Sequence, residues 1–491
     1  MNNSGSKINT KEDYGVSINK KAFFSSILIL LILMVAAGVL THIIPTGSYE
    51  RVLLNDRMTI NPESFQFTNG QGYPVWRWFT APIEVLWSGD APIVIAIIIF
   101  LLVIGGSFAV LNKSDMLKYV IGKIVKYFNK HKYYLLASVV FVFMTIGSVV
   151  GIFEEIIPLV PIVIALSYSL GWDSLTGLGM SILAAGFGFA SGIANPFTVG
   201  VAQRIAGLPM FSGILMRIGV FFVIYAILVC FLIRYAKKIE KNPHKSSVYS
   251  EDIIQKENMN SNIYMAFTDT TKLNRAAKWF GFIIVCIFIL ILSTSVVEVL
   301  SNYSLPIIGL LFLIGGSVSG LLAGLKGKEV LKTLLNGALS IAPGILLILM
   351  ATSVKHIITQ SGIMDTILHY AAESIMNTSP MISVLLIYLL VLVMNFFISS
   401  GSAKAFLIMP LVAPIADLVH INRQITILAF AFGDGFSNVF YPTNAVLLIA
   451  LGLTVVSYPK WFKWIIKLQF TILVITCLLL GIAVMINYGP F

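Results

Sequence analysis

From Ala22 to Ile44 the chain runs without one Asp, Glu, Lys or Arg, and a mostly apolar stretch of 23 residues is enough to cross the hydrocarbon of a bilayer as a helix. Comparable runs follow at 91–111, 133–150, 174–196, 214–236, 277–300, 305–325, 333–355, 381–398, 424–456 and 465–487. Shorter ones lie at 156–170 and 405–419. Of 491 residues, 57% are hydrophobic and 11% charged, whereas a soluble domain carries about a quarter of charged residues. So few charges cannot cover a water-facing surface of this size. The chain is therefore read as a polytopic, all-α membrane protein of roughly ten to twelve spans, which excludes most soluble enzyme classes. The first run, preceded by a polar stretch of 21 residues and longer than a signal-peptide core, is expected to be a signal anchor.

The net charge of +11 points to topology and not to nucleic acid, because its cations flank the spans. Lys113, Lys118, Lys123, Lys126 and Lys130 occupy 112–131, Arg234, Lys237, Lys238 and Lys241 occupy 234–241, and Lys326, Lys328, Lys332, Lys460, Lys463 and Lys467 come later. Such loops belong in the cytoplasm, and the acid-bearing stretch 359–379 belongs outside. Trp76, Trp78, Trp87, Trp172, Trp279, Trp461 and Trp464 stand near span ends, where interfacial anchors are expected. Cys230, Cys286 and Cys477 lie within apolar runs and form no CxxC pair. The expected division is a cytoplasmic tail at 1–21, an N-terminal transmembrane repeat at 22–236 and a cytoplasmic linker at 237–276. A connecting helix at 277–300 and a C-terminal repeat at 301–491 complete it. Residues 46–80 read as an external loop.

The halves resemble each other. KSDMLKYV around Met116 aligns with QSGIMDTIL around Ile363, and PLVPIVIAL at 158–166 with PLVAPIADL at 410–418. Each is followed by an apolar run ending in an Asn beside Pro: Asn195-Pro196, then Pro442-Thr443-Asn444. The matched loops 112–131 and 359–379 have opposite charge bias, which predicts an inverted-topology repeat. Short, Gly- or Pro-broken segments at matching positions of such halves point to a transporter's binding site.

Four segments carry these breaks: Gly147 to Glu155, Ser191 to Thr198, Asn395 to Lys404, and Asp434 to Asn444. Broken backbone is tolerated in a membrane only where it is buried in protein or lines a cavity. There, helix N-termini offer N–H groups to an anion and carbonyls offer oxygens to Na⁺. Ser399, Ser400 and Ser402 suit the cap of the next helix, and Pro196 suits the first turn of a helix capped by Asn195. Glu154, Glu155, Lys404 and Asp434 are each costly at membrane depth, about 2.5–3.5 kcal/mol on insertion scales. One of the two glutamates is expected to face the cavity and the other to make a structural pair. Lys404 is expected either to anchor a substrate carboxylate or to neutralise a nearby acid. Arg204, Lys355 and Asp417 read as structural residues near span ends. The histidines lack metal-ligand spacing, no Walker motif is present, and Asp434 lacks the second Asp of an aspartyl protease dyad. The expectation is neither an enzyme nor a metalloprotein.

Thr41 to Arg51 (THIIPTGSYER), Gly105-Gly106, Glu154-Glu155, Asn195 to Gly200 (NPFTVG), Ser400-Gly401-Ser402, Phe432 to Asn438 (FGDGFSN) and Pro442-Thr443-Asn444 together resemble the YfcC family, related to the anaerobic carriers of four-carbon dicarboxylates. The resemblance spans essentially the whole chain. It implies a secondary carrier of the ion-transporter superfamily: inverted repeats, a scaffold, two re-entrant hairpins meeting at the substrate, elevator-type movement and a homodimer. Relatives are described as basic amino acid antiporters, including arginine–ornithine exchangers, or as dicarboxylate carriers. Lys404 departs from the small or polar residue of several relatives, and Thr443-Asn444 from the Thr-Ser-Gly of the exchangers.

The expected protein is thus a multi-pass transporter of the cytoplasmic (inner) membrane. It carries a small carboxylate-bearing metabolite, foremost an amino acid in the manner of a basic amino acid antiporter. The substrate site is expected at Glu154, Asn195, Thr198, Ser400, Ser402, Lys404, Asp434, Asn438, Thr443 and Asn444, with hairpins at 147–170 and 396–420. No cofactor is expected beyond coupling to Na⁺ or H⁺, and the partners are a small-molecule substrate and the lipid bilayer. The alternatives are a dicarboxylate carrier with Lys404 on the second carboxylate, and a Na⁺/H⁺ antiporter without organic substrate.

Overall fold

The computed structural model describes residues 20–54, 57–70, 72–128, 131–151, 153–253, 255, 270–294 and 303–489. The expected tail up to residue 19, the linker at 254 and 256–269, and the end of the connecting helix at 295–300 lie outside the described residues. Eleven described helices or helical stretches are long and apolar enough to cross a membrane.

The first span, α1 (Lys20–Ile43), leads to residues 46–80, where the structure adds what the sequence reading lacked. Two short antiparallel pairs form there: β1 (Gly47–Ser48) with β4 (Gln66–Phe67), and β2 (Arg51–Leu54) with β3 (Arg57–Ile60). The loop is tied to the second half by Asp365, whose carboxylate accepts from the Tyr49 backbone N–H at 2.9 Å and from Arg51 Nη2 at 2.8 Å. Next comes α2 (Val75–Glu84). Its last residue, Glu84, accepts from Arg77 Nη2 at 2.5 Å, Tyr73 Oη at 2.7 Å and Thr80 Oγ1 at 2.6 Å.

Helix α3 (Ala91–Lys113) packs on α12 (Ser304–Ala323) and α13 (Gly327–Ile341) through small residues. A Cβ on Gly106 would lie 2.7 Å from the Leu334 carbonyl, and one on Gly337 would lie 2.6 Å from the Gly105 carbonyl. Only glycine allows this backbone-on-backbone seam, the usual device where apolar lipid gives helices no hydrophobic reason to associate. Helix α11 (Thr270–Thr294) joins α12 in the same group, and α14 (Pro343–Gln360) packs on α1 and α2.

The remaining helices repeat one order twice. In the first half these are α4 (Met116–Phe128), α5 (Lys132–Thr145), α6 (Val160–Ser169), α7 (Ser174–Leu178) running through a widened turn into α8 (Ala184–Ser191), α9 (Val201–Ile205) and α10 (Ile214–Lys241). In the second they are α15 (Ile363–Met376), α16 (Pro380–Phe397), α17 (Gly401–Leu418), α18 (Arg423–Gly435), α19 (Ala445–Gly452) and α20 (Tyr458–Met485). Each set has an amphipathic helix, a helix ending at a break, a return helix, a second broken helix and a closing helix of 28 residues. Segment 405–419, one of the two shorter apolar runs, lies within the 18-residue α17 and its C-terminal cap. Helices α8 and α18 cross at the centre: Phe187 and Phe436 meet edge-on at 5.4 Å, and a Cβ on Gly435 would meet Ala190.

Three of the expected interfacial tryptophans are instead buried, Trp78 among them with its indole donating to the Tyr73 carbonyl at 2.8 Å. Trp172 and Trp461 are fully buried, donating from the indole to Glu240 and, at 2.8 Å, to the Val439 carbonyl. A span-end position does not fix which way a ring faces, and here each indole N–H finds a protein acceptor. Trp76 and Trp87 are exposed, as anchors would be.

Candidate functional site

Each of the four breaks stops one helix and starts the next, and they bond to one another in pairs. After Thr145 the helix widens through Ile146–Val150 and stops at Gly151, whose φ is +75°. Ser148 ties this break to the second: its Oγ accepts from the Ile193 N–H at 2.9 Å and its carbonyl from the Ala194 N–H at 3.1 Å. Helix α8 ends at Gly192, and Asn195 caps the turn that leads into α9. Its Oδ1 accepts from the backbone of Phe197 at 3.0 Å and Thr198 at 3.2 Å, as the Asn-Pro pair predicted. A Cβ on Gly151 would collide with the Asn195 amide.

In the second half, Ile398 to Ser400 interrupt the chain between α16 and α17. Of the three candidate serines, Ser400 is the cap, its Oγ accepting from the Ala403 N–H at 3.4 Å. Ser402 Oγ lies 3.5 Å from Ser400 Oγ. The break after α18 is held by Asn395. Its amide donates to the Asp434 carbonyl at 2.9 Å, Ser437 Oγ at 2.6 Å and Asn438 Oδ1 at 2.9 Å. Thr443 Oγ1 donates to the Phe396 carbonyl at 2.6 Å. Asn444 caps α19 through Oδ1, accepting from Leu447 N–H at 3.2 Å, and donates through Nδ2 to Asn438 at 3.1 Å.

The two pairs of breaks meet at Gly401. A Cβ there would lie 2.5 Å from Thr198 Cγ2 and 2.6 Å from Asp434 Oδ2. Among the described residues, the buried Asn195 Nδ2, Thr198 Oγ1 and Asp434 Oδ2 have no hydrogen-bond partner, while Asp434 Oδ1 has only its ion pair with Lys404. Buried polar atoms are almost always partnered in folded proteins, so two donor groups and a carboxylate oxygen left open on residues of the second and fourth breaks mark a place for a polar ligand. Glu154 is close enough to Asp434 to interact electrostatically with it. Its neighbour Glu155 faces elsewhere, accepting from Ser304 Oγ of α12 at 2.8 Å.

Lys404 and Asp434 are 0% exposed and face each other, Nζ to Oδ1 at 2.5 Å. A charge at this depth is sustained only by pairing and hydrogen bonds. Among the described residues, no group of three or more His, Cys, Asp or Glu is placed to hold a metal ion.

The residue range 23–485 matches the family model of DcuC, the C4-dicarboxylate anaerobic carriers. The chain belongs to the DcuC family. Its relatives and helical architecture make it a membrane transporter and not an enzyme. It is 30% identical over 475 residues to an Escherichia coli (strain K12) protein named "Putative basic amino acid antiporter YfcC", covering 89% of this chain and 92% of that one. A Haemophilus influenzae protein without a described function is 24% identical over 94% of this chain and 97% of its own. Among solved structures, the Alcanivorax borkumensis YdaH transporter matches 95% of this chain and 99% of its own, at a TM-score of 0.41 and 16% identity.

Within this DcuC-family chain the sequence reading passed over residues that build the site. Asn395 was placed in the third broken segment but not among the substrate-site residues. Arg217, a charge inside the run 214–236, is buried and donates to the carbonyls of Ile193 at 3.2 Å, Ser212 at 2.8 Å and Phe211 at 3.1 Å. It thereby satisfies one carbonyl of the second break and two of the loop that precedes α10. Lys355 and Asp417, read as structural, pair with Asp90 at 2.7 Å and Arg423 at 2.5 Å.

Proposed function

We propose that the chain is a secondary active transporter of a small carboxylate-bearing metabolite, an amino acid foremost, working as a basic amino acid antiporter in the cytoplasmic membrane. The observation that carries the reading is the set of unpartnered buried polar atoms on the breaks, Asn195 Nδ2, Thr198 Oγ1 and Asp434 Oδ2, with the Gly401 tip packed against Thr198 and Asp434 and Glu154 within electrostatic reach of Asp434. The amide and hydroxyl, with the N-termini that Asn195 and Ser400 cap, offer donors to a carboxylate. Glu154 and Asp434 offer negative charge to an amine. Lys404 already faces Asp434, leaving Glu154 as the acid in excess, which favours a cationic solute over a dianion. The printed name of the Escherichia coli relative supports the same class.

The repeated order of helices, with opposite charge bias at 112–131 and 359–379, supports two inverted halves whose hairpins meet at the solute. The seam of α3, α12 and α13 would be the fixed scaffold of an elevator-type homodimer. The dicarboxylate carrier stays as the second reading, favoured by the family's description.

Counterflow in proteoliposomes tests this, comparing labelled arginine or ornithine with labelled succinate, with and without Na⁺ and proton gradients. Basic amino acid exchange is expected. Succinate exchange would promote the second reading, and collapse of ion gradients without solute movement would replace both with a Na⁺/H⁺ antiporter. Asn195→Leu and Asn444→Leu should each abolish exchange while leaving insertion intact; retained exchange in both would overturn the site.

A further inference from the structure

The Lys404 ammonium sits in an oxygen cage. Its Nζ contacts Asp434 Oδ1 at 2.5 Å, donates to the Ile398 carbonyl at 2.7 Å and donates to Asn395 Oδ1. The three acceptors differ in origin: a carboxylate from α18, a backbone carbonyl freed where α16 ends, and a side-chain amide from α16. An ammonium has three N–H donors and no acceptor, so these oxygens exhaust its bonding capacity. A carboxylate, an amide oxygen and the free carbonyl of a broken membrane helix are also the ligand types by which an alkali cation is held at such breaks. Asn395 is fixed in this orientation, because its Nδ2 is committed to the Asp434 carbonyl, Ser437 and Asn438. The amide oxygen has no other direction to face.

We propose that Lys404 is a built-in cation filling a Na⁺-type site at the break between α16 and α17, so that this site binds no Na⁺ and contributes no Na⁺ coupling. The side chain reaches in from the first turn of α17, three residues beyond its first residue, so the charge is covalently tied to the hairpin tip. Whatever Asp434 gains from a positive neighbour it holds through every step, with no ion to bind or release. Lys404 is then a positioning residue. It keeps Asp434 Oδ1 occupied and leaves Oδ2 directed toward Gly401 and the solute.

The inference deepens the transport reading, but its test does not depend on solute movement. Methionine matches lysine through the fourth side-chain atom and lacks only the ammonium, so Lys404→Met opens a cation-sized space bounded by the same three oxygens. Purified wild-type protein and Lys404→Met are unfolded thermally in NaCl and in choline chloride at equal ionic strength. The expected result is no difference for the wild type and a saturable rise in Tm with NaCl for the variant. A rise of about 2 °C or more is expected at tenfold excess over the dissociation constant. Lys404→Met/Asp434→Asn, which loses the carboxylate, should lose the response. If Lys404→Met fails to fold in either salt, Lys404→Gln is measured in the same way. A Na⁺ response equal in wild type and variant, or absent from both single variants, overturns the proposal. A Na⁺ response gained by the variant, while the wild type exchanges no organic solute, would sink the amino acid reading and leave the Lys404 assignment standing.

Discussion

Gly401→Ala is the smallest change that tests whether the second hairpin tip meets the first half at the solute. The added methyl would stand 2.5 Å from Thr198 Cγ2 and 2.6 Å from Asp434 Oδ2. Ordinary carbon contacts lie at about 3.5–4.0 Å, so the tip must withdraw by about 1 Å, or Thr198 and Asp434 must. Neither yields freely. Thr198 is β-branched and sits in the turn capped by Asn195, while Asp434 is held by Lys404. Overpacking of this kind costs about 1–3 kcal/mol, and at 1.4 kcal/mol per tenfold the affinity for exchanged solute should fall by about 5- to 150-fold. The assay is concentration-dependent counterflow, with the amount of inserted protein measured by labelling. Gly219→Ala is the control, since a Cβ there meets nothing within 4 Å and alanine only favours the helix. An unchanged affinity in Gly401→Ala, within twofold of wild type, would refute the placement of Gly401 against Thr198 and Asp434.

Three further outcomes are expected. Glu84, held by Arg77, Thr80 and Tyr73, has its carboxyl pulled down to about 2 from 4.5. The tie of α2 is therefore fully present above about pH 4.5 and lost as pH falls toward 2; hydrogen exchange across 75–84 should rise over that window in wild type and be pH-flat in Glu84→Gln once intrinsic rates are removed. Asp252 is buried and accepts from Tyr168 Oη, Ser174 Oγ and the Ser174 N–H, so Asp252→Ala should cost about 1–3 kcal/mol of local docking and speed tryptic cleavage after the exposed Lys245 at least several-fold. Arg217→Lys keeps the charge but not the fork that reaches three carbonyls, and its Tm should drop by a few degrees; an unchanged Tm would show that the second break does not need the guanidinium.

Local chemistry explains what the sequence could reveal. Asn195 before Pro196, and a serine before α17, are caps whose partners lie two or three residues away, so the residue types announce them. Lys404 and Asp434 announced themselves by cost alone, since charge at membrane depth demands compensation. Their pairing did not, because the 29 intervening residues form most of a return helix, a turn and most of the next helix, whose geometry no local pattern encodes. The small strands between Gly47 and Phe67 escaped notice because two to four residues are too few to show alternation. Trp172 and Trp461 were misplaced because a hydropathy boundary gives depth and not azimuth.

The caps also restrict what Asn195 can say to a solute. With Oδ1 engaged by the backbone N–H groups of Phe197 and Thr198, the amide cannot rotate by a half-turn without giving up the cap. Only its N–H₂ face remains for the crossing, so this asparagine speaks as a donor alone. Aspartate would cap the turn equally well and keep the fold, yet would turn that face from donor to acceptor. The helix start thus works as a polarity filter: the residue that begins the turn also decides the sign of the group received beside it.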